Sequence, residues 1–260
     1  MKTIGIFDSG VGGITVLKAI RRALPTFDIL YLGDTARVPY GTKSRETVLR
    51  YSLQVGDFLY RKGIDLLVIA CNTATAYGLH EIRARYDIPV IGVIEPGAQA
   101  TVALSRSGRI AVIGTSATVQ SGQYRSTIQH YLPDADVREI ACPMLVPLVE
   151  ENWCGTDVAH LILQRYLGQL RGQVDTLVLG CTHYPMLKED IARVLPGVTQ
   201  VDSAEETART IVGLTGVPAP GTLGTLGTTT YYMTDTSQRF AEIASSFLGE
   251  SVGSIEHIDL

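Results

Sequence analysis

The chain contains no Cys-x-x-Cys pair, no Gly-x-x-x-x-Gly-Lys-[Ser/Thr] phosphate loop, no dense run of lysine and arginine, and no apolar segment approaching a membrane span of roughly 18–20 residues. Each absence removes a class of function. The four cysteines, Cys71, Cys142, Cys154 and Cys181, are too scattered over 260 residues to form a disulfide framework. Without a close pair they suggest neither structural zinc nor redox exchange, and free thiols are expected. With 22 Lys+Arg against 26 Asp+Glu, the formal charge of −4 gives no pull toward polyphosphate, so no nucleic-acid partner is expected. The opening MKTIGIFDSG reaches Asp8 after an apolar stretch too short for a signal-peptide core. A soluble, cytoplasmic protein with no membrane partner is the resulting expectation.

What is present is alternation. Short β-branched runs near 4–7, 28–32, 65–70, 90–93, 109–113, 136–140, 174–179 and 198–201 read as strands. Segments of helical period at 12–23, 43–62, 74–85, 117–131, 157–170, 186–194 and 204–214 lie between them. This is the pattern of βαβ units around a mostly parallel sheet. It also repeats. TIGIFDSG at 3–10 matches RIAVIGTS at 109–116, DILYLGD matches DVREIAC, and DLLVIACNT matches DTLVLGCTH. Arg109 follows Thr3 by 106 residues, Asp136 follows Asp28 by 108, and both Asp175 after Asp65 and Cys181 after Cys71 come at 110. Slowly growing offsets in one order are the mark of a duplicated unit with small loop insertions. The expected architecture is α/β, with two pseudo-symmetric lobes, each a mostly parallel sheet flanked by helices, and an active site in the cleft between them. GVPAPGTLGTLG at 216–227 reads as a turn region; after it come a strand at TTTYYMTD, a helix at 237–248 and an edge strand at GSIEHI. This tail has no counterpart in the second repeat and needs a face to cover. It is expected to return as a hairpin and helix onto the first lobe, giving lobes of 1–95 plus 210–260 and of 96–209.

The duplicated turns carry the chemistry. LVIACNTATA at 67–76 and LVLGCTHYPM at 177–186 each place a cysteine where a buried strand stops. Open α/β sheets put ligands beyond that carboxyl edge. A single such cysteine is more simply a packed thiol, since free Cys behaves as a small hydrophobe. Two at equivalent edges of facing lobes would approach a substrate from opposite sides. His183, two residues after Cys181, reads as a relay or substrate contact beside that thiol. IFDSGVGG places Asp8, Ser9 and three glycines between a strand and an amphipathic segment, either as a tight turn with an Asx-type cap or as backbone N–H groups that receive an anion. Tyr40 and Gly41 stand in an ordered loop near the first substrate edge. Glu150 and Glu151, after an apolar run, have a solvated face as their default. Cys142, at a strand end before Pro143, and Cys154, beside Trp153 in a connection, lack this duplicated context and are expected to be inert. His80, His130, His160 and His257 are expected to be structural.

Taken together, FDSGVGG, VPYGTKS, ACNTATA, GVIEPG, PLVEE and GCTHYP resemble the cofactor-independent glutamate racemases of the aspartate/glutamate racemase group. The resemblance runs from residue 4 to about 210. It implies interconversion of L- and D-glutamate without cofactor or metal, with Cys71 and Cys181 as acid/base residues, Asp8 assisting one thiol and Glu150 and His183 the other. It also implies substrate contacts from Asp8, Ser9, Tyr40, Gly41, Asn72, Thr73, Thr182 and His183, with Thr115 and Thr118 as neighbours. A role in supplying D-glutamate for peptidoglycan follows from the same resemblance, and pairing with a second copy stays open. Some members carry an extra N-terminal segment associated with control by a cell-wall precursor. This chain enters its first strand near residue 4, so appreciable basal activity is expected. An aspartate racemase, a binding protein for acidic amino acids and, less well, a disulfide oxidoreductase are the competing classes.

Overall fold

The computed structural model describes residues 3–216 and 225–260, so most of the turn region expected at 216–227 lies outside the described residues. The elements in chain order are β1 (Thr3–Asp8), α1 (Ile14–Ala23), β2 (Asp28–Gly33), α2 (Arg45–Arg61), β3 (Leu66–Ile69), α3 (Asn72–Arg83), β4 (Val90–Gly92), α4 (Ile94–Leu104), β5 (Arg109–Gly114), α5 (Ser116–Gln120) and α6 (Gln123–Tyr131). The series continues with β6 (Asp136–Ala141), α7 (Leu145–Glu150), α8 (Asp157–Leu167), β7 (Thr176–Gly180), α9 (Lys188–Val194), β8 (Thr199–Asp202), α10 (Ser203–Thr215), β9 (Thr229–Met233), α11 (Gln238–Leu248) and β10 (Ile255–His257). They form two sheets, ordered β10-β9-β2-β1-β3-β4 and β6-β5-β7-β8, with every strand pairing parallel. The order β2-β1-β3-β4 in the first is matched by β6-β5-β7-β8 in the second, which is the duplication seen in the sequence.

Parallel sheets are covered on both faces, so their strands read as continuous apolar runs. Leu66–Ile69 and Thr176–Gly180 are buried at every position. One large apolar cluster runs from Ile4, Ile6 and Leu17 to Leu163, Leu177 and Ile191, joining residues of both sheets. Smaller clusters around Phe7, Leu67 and Ile69, and around Ile110, Val112 and Tyr124, cover the other faces. No helix among the described residues is long and apolar enough to cross a membrane.

Three sequence expectations are corrected. The tail does not return as a hairpin: β9 pairs with β2 and β10 with β9, both in parallel, with α11 as the crossover between them. The segment expected as one helix at 117–131 is two, broken at Gly122, whose φ of +63° glycine adopts without steric cost. Helices α4 and α7 were not anticipated. IEPGAQATVAL hides α4 because Pro96 and Gly97 read as breakers, yet Pro96 sits in the first turn, where no N–H is needed. Helix α10 spans residue 210 and packs on both α1 and α4.

Leu177 is fully buried in β7, whereas Leu161 on α8 is 65% exposed. Leu177→Ala should lower unfolding stability by about 2–5 kcal/mol, and Leu161→Ala should change it by less than about 0.5 kcal/mol. Denaturant melts of the two variants check this contrast.

Candidate active site

The two cysteine turns sit at equivalent strand ends but are built differently. Cys71 follows β3 and caps α3, its Sγ accepting from the Ala74 amide at 3.5 Å. Cys181 follows β7 and opens onto a 3-10 turn, Tyr184–Leu187, with the Tyr184 amide donating to the Cys181 carbonyl. That tighter turn brings His183 back toward the thiol. His183 Nδ1 lies 3.9 Å from Cys181 Sγ, and its Nε2 donates to Glu150 Oε1 at 3.0 Å. Glu150 is delivered by the last turn of α7, which ends where Asn152 adopts a φ of +57°, a left-handed conformation asparagine tolerates.

On the other side, β1 ends in Asp8, buried, with Oδ2 accepting from the Gly10 amide at 2.9 Å and Oδ1 without a hydrogen-bond partner. The loop after it is held by Tyr31, whose hydroxyl donates to the Gly10 carbonyl. It comes very close to the second turn. A Cβ on Gly12 would lie 2.3 Å from Thr182 Oγ1 and 2.5 Å from two atoms of the His183 ring. Thr15, at the start of α1, donates across the same gap to the Thr182 carbonyl at 3.1 Å.

Electrostatics separate the two thiols. Burial pushes Cys71 up to about 12, the Asp8 carboxylate adds to the rise, and a nearby Ser9 hydroxyl opposes it. Burial also raises Asp8 above the usual carboxylate range, against the Gly10 amide and the positive charge of His183. For His183 burial works against the charged form, but hydrogen bonding and charge from Cys181 and Glu150 outweigh it and push the imidazole up to about 10. Cys71 thus sits beside a carboxyl group and Cys181 beside a cation, within one electrostatic cluster.

The remaining expected residues converge on the same place, with one qualification of role. Thr73, Thr115 and Thr118 form a hydroxyl triangle with sides of 2.9, 3.1 and 3.0 Å, joining α3 of the first sheet to α5 of the second. Gly41 packs directly on Thr115, 2.7 Å being left between a Cβ built there and Thr115 Cβ. Asn72 and Thr182 are buried beside their cysteines. Tyr40 is buried as well, but its hydroxyl is donated to the buried Asp34 and its ring packs against Phe7 and Tyr51. Cys142, fully buried, and Cys154, half-buried beside Asp190, stand apart from the cluster. A surface groove of about 760 Å³ lined by His80 and His130 contains none of the cysteines. No set of three or more His, Cys, Asp or Glu side chains among the described residues has the arrangement of a metal site.

Sequence reasoning missed Gly12 as a close-approach position, Thr15 and Tyr124 as partners of Thr182 and Asn72, and Phe247 of α11, whose ring meets His183 edge to face at 5.5 Å. A glycine between an acidic strand end and a helix was the visible signal for the first. The others have none, because they depend on contacts between distant segments.

The sequence model of the Asp/Glu/Hydantoin racemases matches residues 4–211. The chain belongs to this family. It is therefore an amino-acid racemase, an isomerase. It is similar to the glutamate racemase of Geobacter metallireducens, 50% identical over 100% of this chain and 97% of that protein. Among solved structures it resembles a glutamate racemase isoform of Bacillus anthracis, with a TM-score of 0.93, 38% identity and coverage of 100% and 98%. It also resembles the Francisella tularensis glutamate racemase in complex with D-glutamate, with a TM-score of 0.91, 32% identity and coverage of 99% and 97%.

For this racemase, Gly12→Ala should displace the Thr182–His183 turn and lower turnover on the order of a hundredfold, the scale of a misplacement of about 1 Å; steady-state kinetics measure it. His183 is raised above its unfolded value, so its stabilising contribution is complete below about pH 6.5 and is lost as pH rises through about 10. The raised Cys71 thiol acts in the same direction, from about pH 8.5 up toward 12. The thermal midpoint should fall on the alkaline side, and Glu150→Gln should flatten the histidine part of that fall.

Proposed function

We propose that the protein interconverts L- and D-glutamate by a two-base mechanism, with Cys71 and Cys181 on opposite faces of Cα. The carrying observation is that two strand-end thiols meet in one buried cluster with opposite electrostatic partners, a carboxyl group at Cys71 and a histidine cation at Cys181. The similarity to glutamate racemases over the full chain supports glutamate as the substrate. So does the D-glutamate complex of the Francisella relative.

The steps follow from these environments. With L-glutamate bound, the Cys181 thiolate, stabilised by imidazolium at 3.9 Å, removes the α-proton. The electron pair left on Cα spreads into the α-carboxylate, which needs donors arranged in advance and exclusion of water. Asn72, Thr73, Thr115, Thr118, Thr182 and the backbone at Ser9, Tyr40 and Gly41 are the proposed donors and contacts. Cys71, kept protonated by burial and Asp8, then gives its proton to the opposite face, forming D-glutamate. The reverse reaction starts from a Cys71 thiolate, its proton taken by Asp8, whose raised carboxyl is a better acceptor than an ordinary aspartate. The resting charge pattern therefore suits L-glutamate. Glu150 holds His183 in place and in its charged form. The same proposal includes lobes of 1–95 plus 210–260 and of 96–209 that close on the substrate, a cytoplasmic setting, and supply of D-glutamate for peptidoglycan.

Cys71→Ala and Cys181→Ala should each abolish racemisation, while Cys142→Ala and Cys154→Ala should keep most of it. A glutamate analogue with a β leaving group separates the faces, because α-proton removal then leads to elimination and no return proton is needed. Cys71→Ser should retain elimination from the L-analogue and lose it from the D-analogue, and Cys181→Ser should do the opposite. Equal loss of both eliminations in both variants would refute separate faces.

A further inference from the structure

Tyr124 lies on α6, which packs on the second sheet, and its side chain is fully buried. Its hydroxyl donates to Oδ1 of Asn72, 2.7 Å away in the first turn of α3, beside the first sheet. Ser203, at the start of α10, packs near Gly97 together with the same phenol. Burial keeps the phenol protonated, so it acts as a donor throughout the physiological range. Gly97 of α4 packs behind the pair: a Cβ there would lie 3.3 Å from Ser203 Cβ and 3.5 Å from the Tyr124 hydroxyl. The phenol has little room to swing away.

A carboxamide has nearly the same shape in its two flipped orientations, but opposite polarity. In one, Asn72 offers an N–H₂ to the site; in the other, a carbonyl oxygen that repels a carboxylate. With Oδ1 engaged by Tyr124, Nδ2 must point the other way, and it is buried without a hydrogen-bond partner. Asn72 directly follows Cys71, so this donor stands next to the thiol. We propose that Tyr124 is a positioning residue that fixes the Asn72 amide so that Nδ2 donates to a carboxylate of the bound amino acid. The inference rests on the proposed glutamate racemisation and adds a second-lobe residue that orients a first-lobe substrate contact.

The test is a double-mutant cycle of Tyr124→Phe and Asn72→Ala, with KM and kcat for glutamate measured in both directions by circular dichroism. Tyr124→Phe should raise KM about five- to tenfold with kcat within about twofold, the pattern of a lost contact shared by ground and transition states. In the Asn72→Ala background the same change should have almost no further effect on KM. A structural role for Tyr124 alone would persist in that background and would overturn the assignment, as would an unchanged KM or a fall in kcat at constant KM. Should Tyr124→Phe not fold, Tyr124→Met, which also removes the hydroxyl, carries the same cycle, with a rise in KM expected only when Asn72 is present. Absence of glutamate turnover by the unmodified protein would overturn the functional proposal itself and this assignment with it. An unchanged KM in an active enzyme overturns this assignment alone.

Discussion

Gly12 has no side chain where Thr182 and His183 occupy the space that one would need, and the arrangement of the site depends on that approach. The end of β1 carries Asp8 toward Cys71, while the turn after β7 carries Cys181 and His183. If the two backbones were held a methyl group further apart, the electrostatic interaction between Asp8 and His183 would weaken. The Thr15 bond to the Thr182 carbonyl, and the threonine triangle between α3 and α5, add hydroxyl bridges between the two halves of the chain.

Because the repeat is duplicated, both thiols arrive at the carboxyl edge of a central buried strand without any special local device. The two sites diverge in the segment after each cysteine. An α-helix after Cys71 leaves its sulfur facing the Ala74 amide. A 3-10 turn after Cys181 returns an imidazole to the sulfur, with Glu150 behind it. Near-symmetry of backbone with asymmetry of charge is a suitable frame for a racemase, whose substrate and product are mirror images.

The β-strand runs, the helical periods between them and the constant spacing near 110 residues were legible because buried parallel strands and amphipathic helices write themselves into local composition. The paired cysteines were legible for the same reason, as repeats of one turn. The parallel return of the tail was not. A parallel neighbour is specified by which sheet edge is available, and no property of residues 229–233 states that β2 is that edge. Helix α4 was obscured by Pro96 and Gly97, which look like breakers until their position in the first turn is known.

The sequence by itself determined the fold class, the duplication and the residue types at each strand end, since all of these follow from short-range periodicity and repetition. Only the tertiary structure decided that Tyr124 turns the Asn72 amide, that Phe247 meets His183, that Tyr40 gives its hydroxyl to Asp34, and that the two thiols sit in opposite fields. Those properties belong mostly to pairs of residues about thirty to sixty positions apart in the chain, and they arise when burial strips away water and leaves each polar group the partners that folding has brought to it.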